Sequence, residues 1–160
     1  EFFVGDFLRP HLTTYAVTHT FSSYLLALSA GIAMSGLSLV DLDSHAFIFL
    51  LMNWAFFNLF EFARKTFAPS EERDHVPSYS NIFGRVGAWF LSASQAAIGV
   101  VLVSADKIEP LVLGAFGIYI LVSTSYLFQG QVKSAKIFRT SSAVYLIVHY
   151  VIMIYVLGAQ

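Results

Sequence analysis

A helix that crosses a bilayer needs about 20 mostly apolar residues, and this chain of 160 residues holds five stretches that meet or approach that length. They cover 12–40, 46–63, 86–105, 111–128 and 141–158. The first is long enough to tilt or to begin in the interface. Charged residues make up 12% of the chain, half the roughly 25% of a typical soluble domain. Hydrophobic residues make up 57%, and 16 residues are Phe. A water-soluble domain of this size cannot bury so much apolar surface, and a disordered chain would be far more polar. The net charge of −1 gives no basic field for nucleic acid. With no cysteine there is no disulfide, thiol nucleophile or Cys-ligated metal. The expected fold is all-α: one polytopic transmembrane bundle of five spans over 1–160, without repeats or a flexible linker. The chain begins at Glu1 rather than Met, so it is expected to be processed or to belong to a longer protein.

Lys and Arg favour the cytoplasmic side of a membrane. Five crossings put the N-terminus, the second connection and the fourth connection on one side. That side holds Arg9, Arg64, Lys65, Arg73, Arg85, Lys133, Lys136 and Arg139, against Lys107 alone on the other. The N-terminus and the 64–85 connection are therefore expected in the cytoplasm, and Gln160 outside. Ahead of the first span, Phe2, Phe3, Phe7, Leu8 and Arg9-Pro10 read as an interfacial lead-in. Small residues let helices approach in lipid. Ala27, Gly31 and Ser35 form one such stripe, and Ala93 and Ala97 another.

The densest polar chemistry lies in 58–84, NLFEFARKTFAPSEERDHVPSYSNIFG. Glu61 falls near the end of an apolar helix, where an ionisable group is costly and is a functional candidate. Arg64 and Lys65 follow it by three and four residues and share its face, so they equally serve to neutralise it. Glu71, Glu72 and Asp74 complete an acidic cluster, with His75 beside it. Hard carboxylate oxygens suit Mg²⁺, Mg²⁺ suits a diphosphate, and Arg64 and Lys65 suit the remaining phosphate oxygens. By composition the same segment is also an ordinary solvated connection.

The sequence Glu61-x-x-Arg64-Lys65-x-x-Ala68-Pro69-x-Glu71-Glu72, followed by Tyr79-Ser80 and Phe83-Gly84, resembles the second polar motif of the UbiA superfamily of intramembrane prenyltransferases. The match is nearest to a bacterial branch, whose fifth helix begins much as EFFVGDFLRPHLTTYAVTH does here. The resemblance implies that this chain corresponds to helices five to nine of a nine-helix protein in the bacterial inner membrane. It further implies transfer of an isoprenyl group from a diphosphate donor. Arg64 and Lys65 would then stabilise the departing diphosphate. Glu61, Glu71, Glu72 and Asp74 would form the acidic cluster, and Glu71 and Glu72 would hold Mg²⁺. Asn58, Gln95 and Tyr79 would line a pocket for the acceptor. Two departures stand out. The family's other acidic motif has no counterpart in these residues, and Ala68 and Glu72 occupy the places of its two loop aspartates.

Two further readings come from other classes. The chain also suits a non-catalytic transmembrane subunit of a larger complex. His19 and His149, entering from the same side to similar depth, would suit axial haem ligation in a redox anchor as well as ordinary interhelical hydrogen bonding. His11 and His45 read as interfacial. Asn53 reads as an interhelical polar contact. Tyr119, Tyr126, Tyr145, Tyr150 and Tyr155 suit packing, interface belts or the wall of a lipid-chain tunnel.

Overall fold

The computed structural model describes residues 11–103 and 110–158, with side chains to Tyr155. The interfacial lead-in, Lys107 and Gln160 lie outside the described residues. Every regular element among the described residues is helical: α1 (Leu12–Ser35), α2 (Ser44–Arg64), α3 (Tyr79–Val103), α4 (Pro110–Ser123), the short α5 (Ser125–Gln129) and α6 (Val132–Gly158). Two single 3₁₀ turns, Leu39–Asp41 and Pro69–Glu71, sit in the α1–α2 and α2–α3 connections. Four helical segments are long and apolar enough to cross a membrane: Ser44–Arg64, Tyr79–Val103, Pro110–Gln129 and Val132–Tyr155. Leu25, Leu26, Phe90, Val101, Leu121, Val144 and Ile154 are all exposed, and so wide an apolar surface belongs against lipid. The protein is an all-helical, membrane-type bundle.

Three element boundaries differ from those the hydropathy pattern suggests, each for a local reason. Helix α1 stops at Ser35 instead of reaching Val40. Gly36 takes the left-handed conformation (φ 70°) and its N–H closes onto Ile32 O at 3.0 Å, a glycine C-cap. Helix α3 begins at Tyr79 but breaks at Gly84 (φ 67°, ψ 177°), a conformation open essentially to glycine alone. The long apolar helix resumes at Arg85. Helix α6 begins at Val132, so the polar 129–140 link is mostly helix. Lys133, Lys136 and Arg139 are good helix formers; polarity there marks where the helix leaves hydrocarbon, not where it ends.

The helices pack as two pairs bridged by α2. Leu12, Ala16, Thr20 and Ser23, at helical spacing, bury one face of α1 against α2, where the Thr20 hydroxyl donates to Asn58 Oδ1. The α2–α3 contact is the most extensive among the described helices. Ala88, Ser92, Ala96 and Gly99 bury one side of α3, and Phe56 of α2 presses on Gly99. Helices α4 and α6 pair through Tyr119 and Tyr145, stacked at 4.8 Å. Helix α2 meets α6 where Phe56 packs on His149 at 4.5 Å and Tyr150 Oη donates to Asn53 Oδ1 at 2.5 Å. Of the two small-residue stripes, Ala93 is buried, whereas a side chain at Gly31 would meet nothing within 4 Å among the described residues.

A Cβ at Gly99 would stand 2.5 Å from Phe56 Cε1, and Phe56 is walled in by Tyr145, His149 and Tyr150. Gly99→Val is therefore expected to destabilise the bundle by about 1–3 kcal/mol through overpacking. Gly114→Val, where a Cβ meets nothing within 4 Å, is expected to change little. Thermal unfolding of the two variants in the same detergent checks the contrast.

Candidate functional site

Every Lys and Arg among the described residues lies at one end of the bundle. Arg64, Lys65 and Arg73 leave α2, Arg85 opens the long part of α3, and Lys133, Lys136 and Arg139 line the first turns of α6. The α2–α3 connection is folded over that end. It starts from Glu61, on the buried face of α2 beside Phe62 and Ala63. One Glu61 oxygen accepts from Arg64 Nε at 2.6 Å, and the other faces Lys65 Nζ at 2.8 Å. The Glu61 side chain is 12% exposed and that of Arg64 51% exposed. The trio therefore sums to one positive charge, with its anion inside and a cation at the rim.

Beyond Lys65 the backbone leaves the helix and its polar groups take partners from three elements. Lys65 O accepts from Tyr79 N at 3.0 Å, joining the end of α2 to the start of α3. Phe67 N donates to Ser80 Oγ at 2.7 Å, and Phe67 O accepts from Tyr126 Oη of α5 at 2.8 Å. Arg139 of α6 donates to Thr66 O at 2.9 Å and grips Glu71 with both terminal nitrogens, at 3.0 and 2.7 Å. Its guanidinium also lies over the Phe67 ring, 5.3 Å from the centroid. Glu71 in turn accepts from Ala68 N at 2.9 Å, closing the Pro69–Glu71 turn. Glu72 accepts from the Ser78 and Ser80 hydroxyls, each at 2.6 Å, and Ser78 Oγ takes Asn81 N at 3.0 Å.

The acidic cluster is thus three separate knots. Glu61 belongs to α2, Glu71 to α6 and Glu72 to the start of α3. The Arg139 hydrogen bonds hold the Glu71 carboxyl below its ordinary value of 4.5, with the Ala68 N–H helping and burial opposing. Each of the three carboxylates has both oxygens engaged by protein donors. No three His, Asp or Glu side chains stand together as a metal-ligand group among the described residues. The donor set in this arrangement does not fit a Mg²⁺ site. Asp74 and His75 are exposed on the outer part of the connection.

The other residues singled out from the sequence are placed as follows. Asn58 is buried between α1 and α2 on Thr20. Tyr79 is buried against Phe62, ring centroids 5.0 Å apart, within electrostatic reach of Glu61 and Arg64. Gln95 is half-buried on α3. His19 is exposed on α1, stacked on Tyr15 at 5.8 Å. His149 is fully buried on α6 between Phe56 and Tyr145. The two histidines thus sit in different surroundings on helices that do not form a packed pair. Sequence reasoning did not single out Arg139 or Tyr126 as partners of the connection. Arg139 counted only as a cation for orientation and Tyr126 only as an aromatic. Comparison of the chain with protein-family models, with curated proteins and with solved structures finds no match.

Arg139 and Glu71 are each 22% exposed, so losing the charged hydrogen bonds is expected to cost about 1.5–3 kcal/mol in Arg139→Ala. Glu71 has a depressed folded-state pKa. Its stabilisation is therefore complete above the ordinary value and is lost as pH falls through the lower folded value. The stability gap between the protein and Glu71→Gln is expected to stay constant above about pH 5 and to close below pH 4.5. Unfolding midpoints across pH 3–7 read this directly.

Proposed function

We propose that this chain is the membrane-embedded half of a UbiA-type prenyltransferase, with five spans, in the bacterial inner membrane. The N-terminus and the α2–α3 connection face the cytoplasm. The observation that supports this best is the Glu61–Arg64–Lys65 trio. It sets two cations around a buried carboxylate, at the bundle end that collects every described Lys and Arg. Such a trio can grip a diphosphate headgroup while the isoprenyl chain lies among apolar helices. As the allylic C–O bond breaks, charge builds on the departing diphosphate, and Arg64 and Lys65 stand ready to stabilise it. Glu61 positions both side chains through its two oxygens. The α2–α3 connection closes the end of the bundle and keeps water from the reacting carbon.

One observation favours a second reading. Glu71 and Glu72 are fully engaged by Arg139, Ser78 and Ser80, as in a structural cap. A non-catalytic transmembrane subunit needs only such a cap.

Two measurements test these readings. A reporter inserted at Ser70 is expected to read cytoplasmic, and one fused after Gln160 to read outside; a cytoplasmic Gln160 would rule out five spans. In the full-length protein, Arg64→Ala is expected to weaken isoprenyl diphosphate binding roughly 5- to 30-fold, the loss of a partly exposed charged contact of about 1–2 kcal/mol. Binding of the bare isoprenol should not change. Equal diphosphate binding by both proteins would remove the enzymatic reading and leave the subunit.

A further inference from the structure

Helices α4 and α6 do not close on each other along their whole length. An apolar groove of about 800 Å³ runs between them, within the range of ligand sites, roughly 300–1,000 Å³. Leu111, Ile118 and Val122 form one wall and Ile137, Val144 and Val148 the other. Lys133 and Lys136 stand at one end. They lie three residues apart on one helix face, both exposed, and neither forms an ion pair among the described residues. Arg139 belongs to a different face, turned to Glu71 and Thr66. The lysines are thus free of the α2–α3 connection and lie beside the groove alone.

The dimensions choose the occupant. From Lys136 to Val148 the helix rises about 18 Å over twelve residues. One leaflet of hydrocarbon is half of a core about 30 Å thick, or about 15 Å. The groove therefore has the depth of a single leaflet, with a doubly cationic mouth at headgroup level. Its lining is mostly apolar, with hydroxyls only at Tyr119, Thr140, Ser141 and Tyr145, which suits an acyl chain.

We infer that the α4–α6 groove binds an anionic phospholipid, with an acyl chain along the groove and its phosphate on Lys133 and Lys136. The site is independent of the diphosphate reading, because it uses neither Arg64 nor Lys65. It makes α6 a two-sided element: Arg139 fastens the cap while Lys133 and Lys136 fasten lipid. Because α4 and α6 touch through Tyr119 with Tyr145 and Ser142 and through Phe116 with Tyr145, lipid in the groove adds a second seam to that pair.

The test is native mass spectrometry of the detergent-purified full-length protein with phosphatidylglycerol and phosphatidylcholine of identical chains. Each lysine near a charged headgroup contributes roughly a 5-fold preference, so the pair is expected to favour phosphatidylglycerol about 30-fold. In Lys133→Ala/Lys136→Ala the preference should fall to near parity while weak binding of both lipids persists. Ile118→Trp or Val144→Trp, each filling the groove, should displace both lipids with the lysines intact. Two variants are used so that a misfolded one, seen in its unfolding midpoint, does not decide the result. Equal retention of the two lipids by the unaltered protein would overturn the proposal. So would a preference that survives loss of both lysines, or full competition by inorganic phosphate, which would mean a free anion as ligand. Failure of both tryptophan variants to displace lipid, as expected if other helices cover the groove, would overturn it equally.

Discussion

Backbone that leaves a helix at the edge of a membrane must find hydrogen-bond partners within the protein or in the thin polar layer above it. Between Lys65 and Ser78 this chain finds several of them in α3, α5 and α6. Arg139 is the most connected of these partners: it holds a carbonyl of the segment, both oxygens of Glu71 and the face of Phe67. Because Arg139 sits on α6, the connection between α2 and α3 is fixed to the last helix of the chain. Tyr126 does the same from α5. The cap is therefore also a clamp, joining at one end two helix pairs that meet along their length mainly through α2.

That clamp explains why the acidic residues are dispersed. A carboxylate in a half-buried loop needs donors for its oxygens, and each of the three takes the nearest set. Glu61 uses cations one turn away on its own helix, Glu72 uses two hydroxyls that begin α3, and Glu71 uses a guanidinium from α6. To bring Glu71 and Glu72 onto a shared ligand, the protein would have to release Arg139 and two serine hydroxyls together, uncapping the α2 end. The arrangement as it stands resists such gathering. Its anion-binding capacity resides in the cations.

The parts of this arrangement legible in the sequence are those set by short range. The apolar stretches carry the helices. The three- and four-residue spacing from Glu61 to Arg64 and Lys65 carries the trio, because helix geometry alone brings those side chains together. The Glu71–Arg139 pair joins positions 68 apart, and no periodicity encodes it. The first turns of α6 are hidden for a different reason: a run of Lys, Ser and Arg looks like a loop when polarity is the signal, though those cations are helix formers. The α3 break at Gly84 was present as a single glycine among apolar residues, and only the positive φ gives it meaning. Packing stripes are equally ambiguous. Gly31 and Gly99 look alike in the sequence, yet only Gly99 has an aromatic ring against it, because which helix faces which is a property of the whole bundle.

The charge distribution follows from the same constraint. Seven cations and four acids meet at the capped end, while the described residues of the opposite end carry only Asp41 and Asp43 as formal charges. Within the capped end, Arg139 is bound to Glu71, and Arg64 and Lys65 share one carboxylate. Glu72 is satisfied by neutral hydroxyls, so it consumes no cation. Lys133 and Lys136, like Arg73 and Arg85, form no ion pair among the described residues, and the two lysines lie beside the open groove. The cap is thus held together without quenching the positive end of the bundle, which keeps an excess of cationic over acidic side chains.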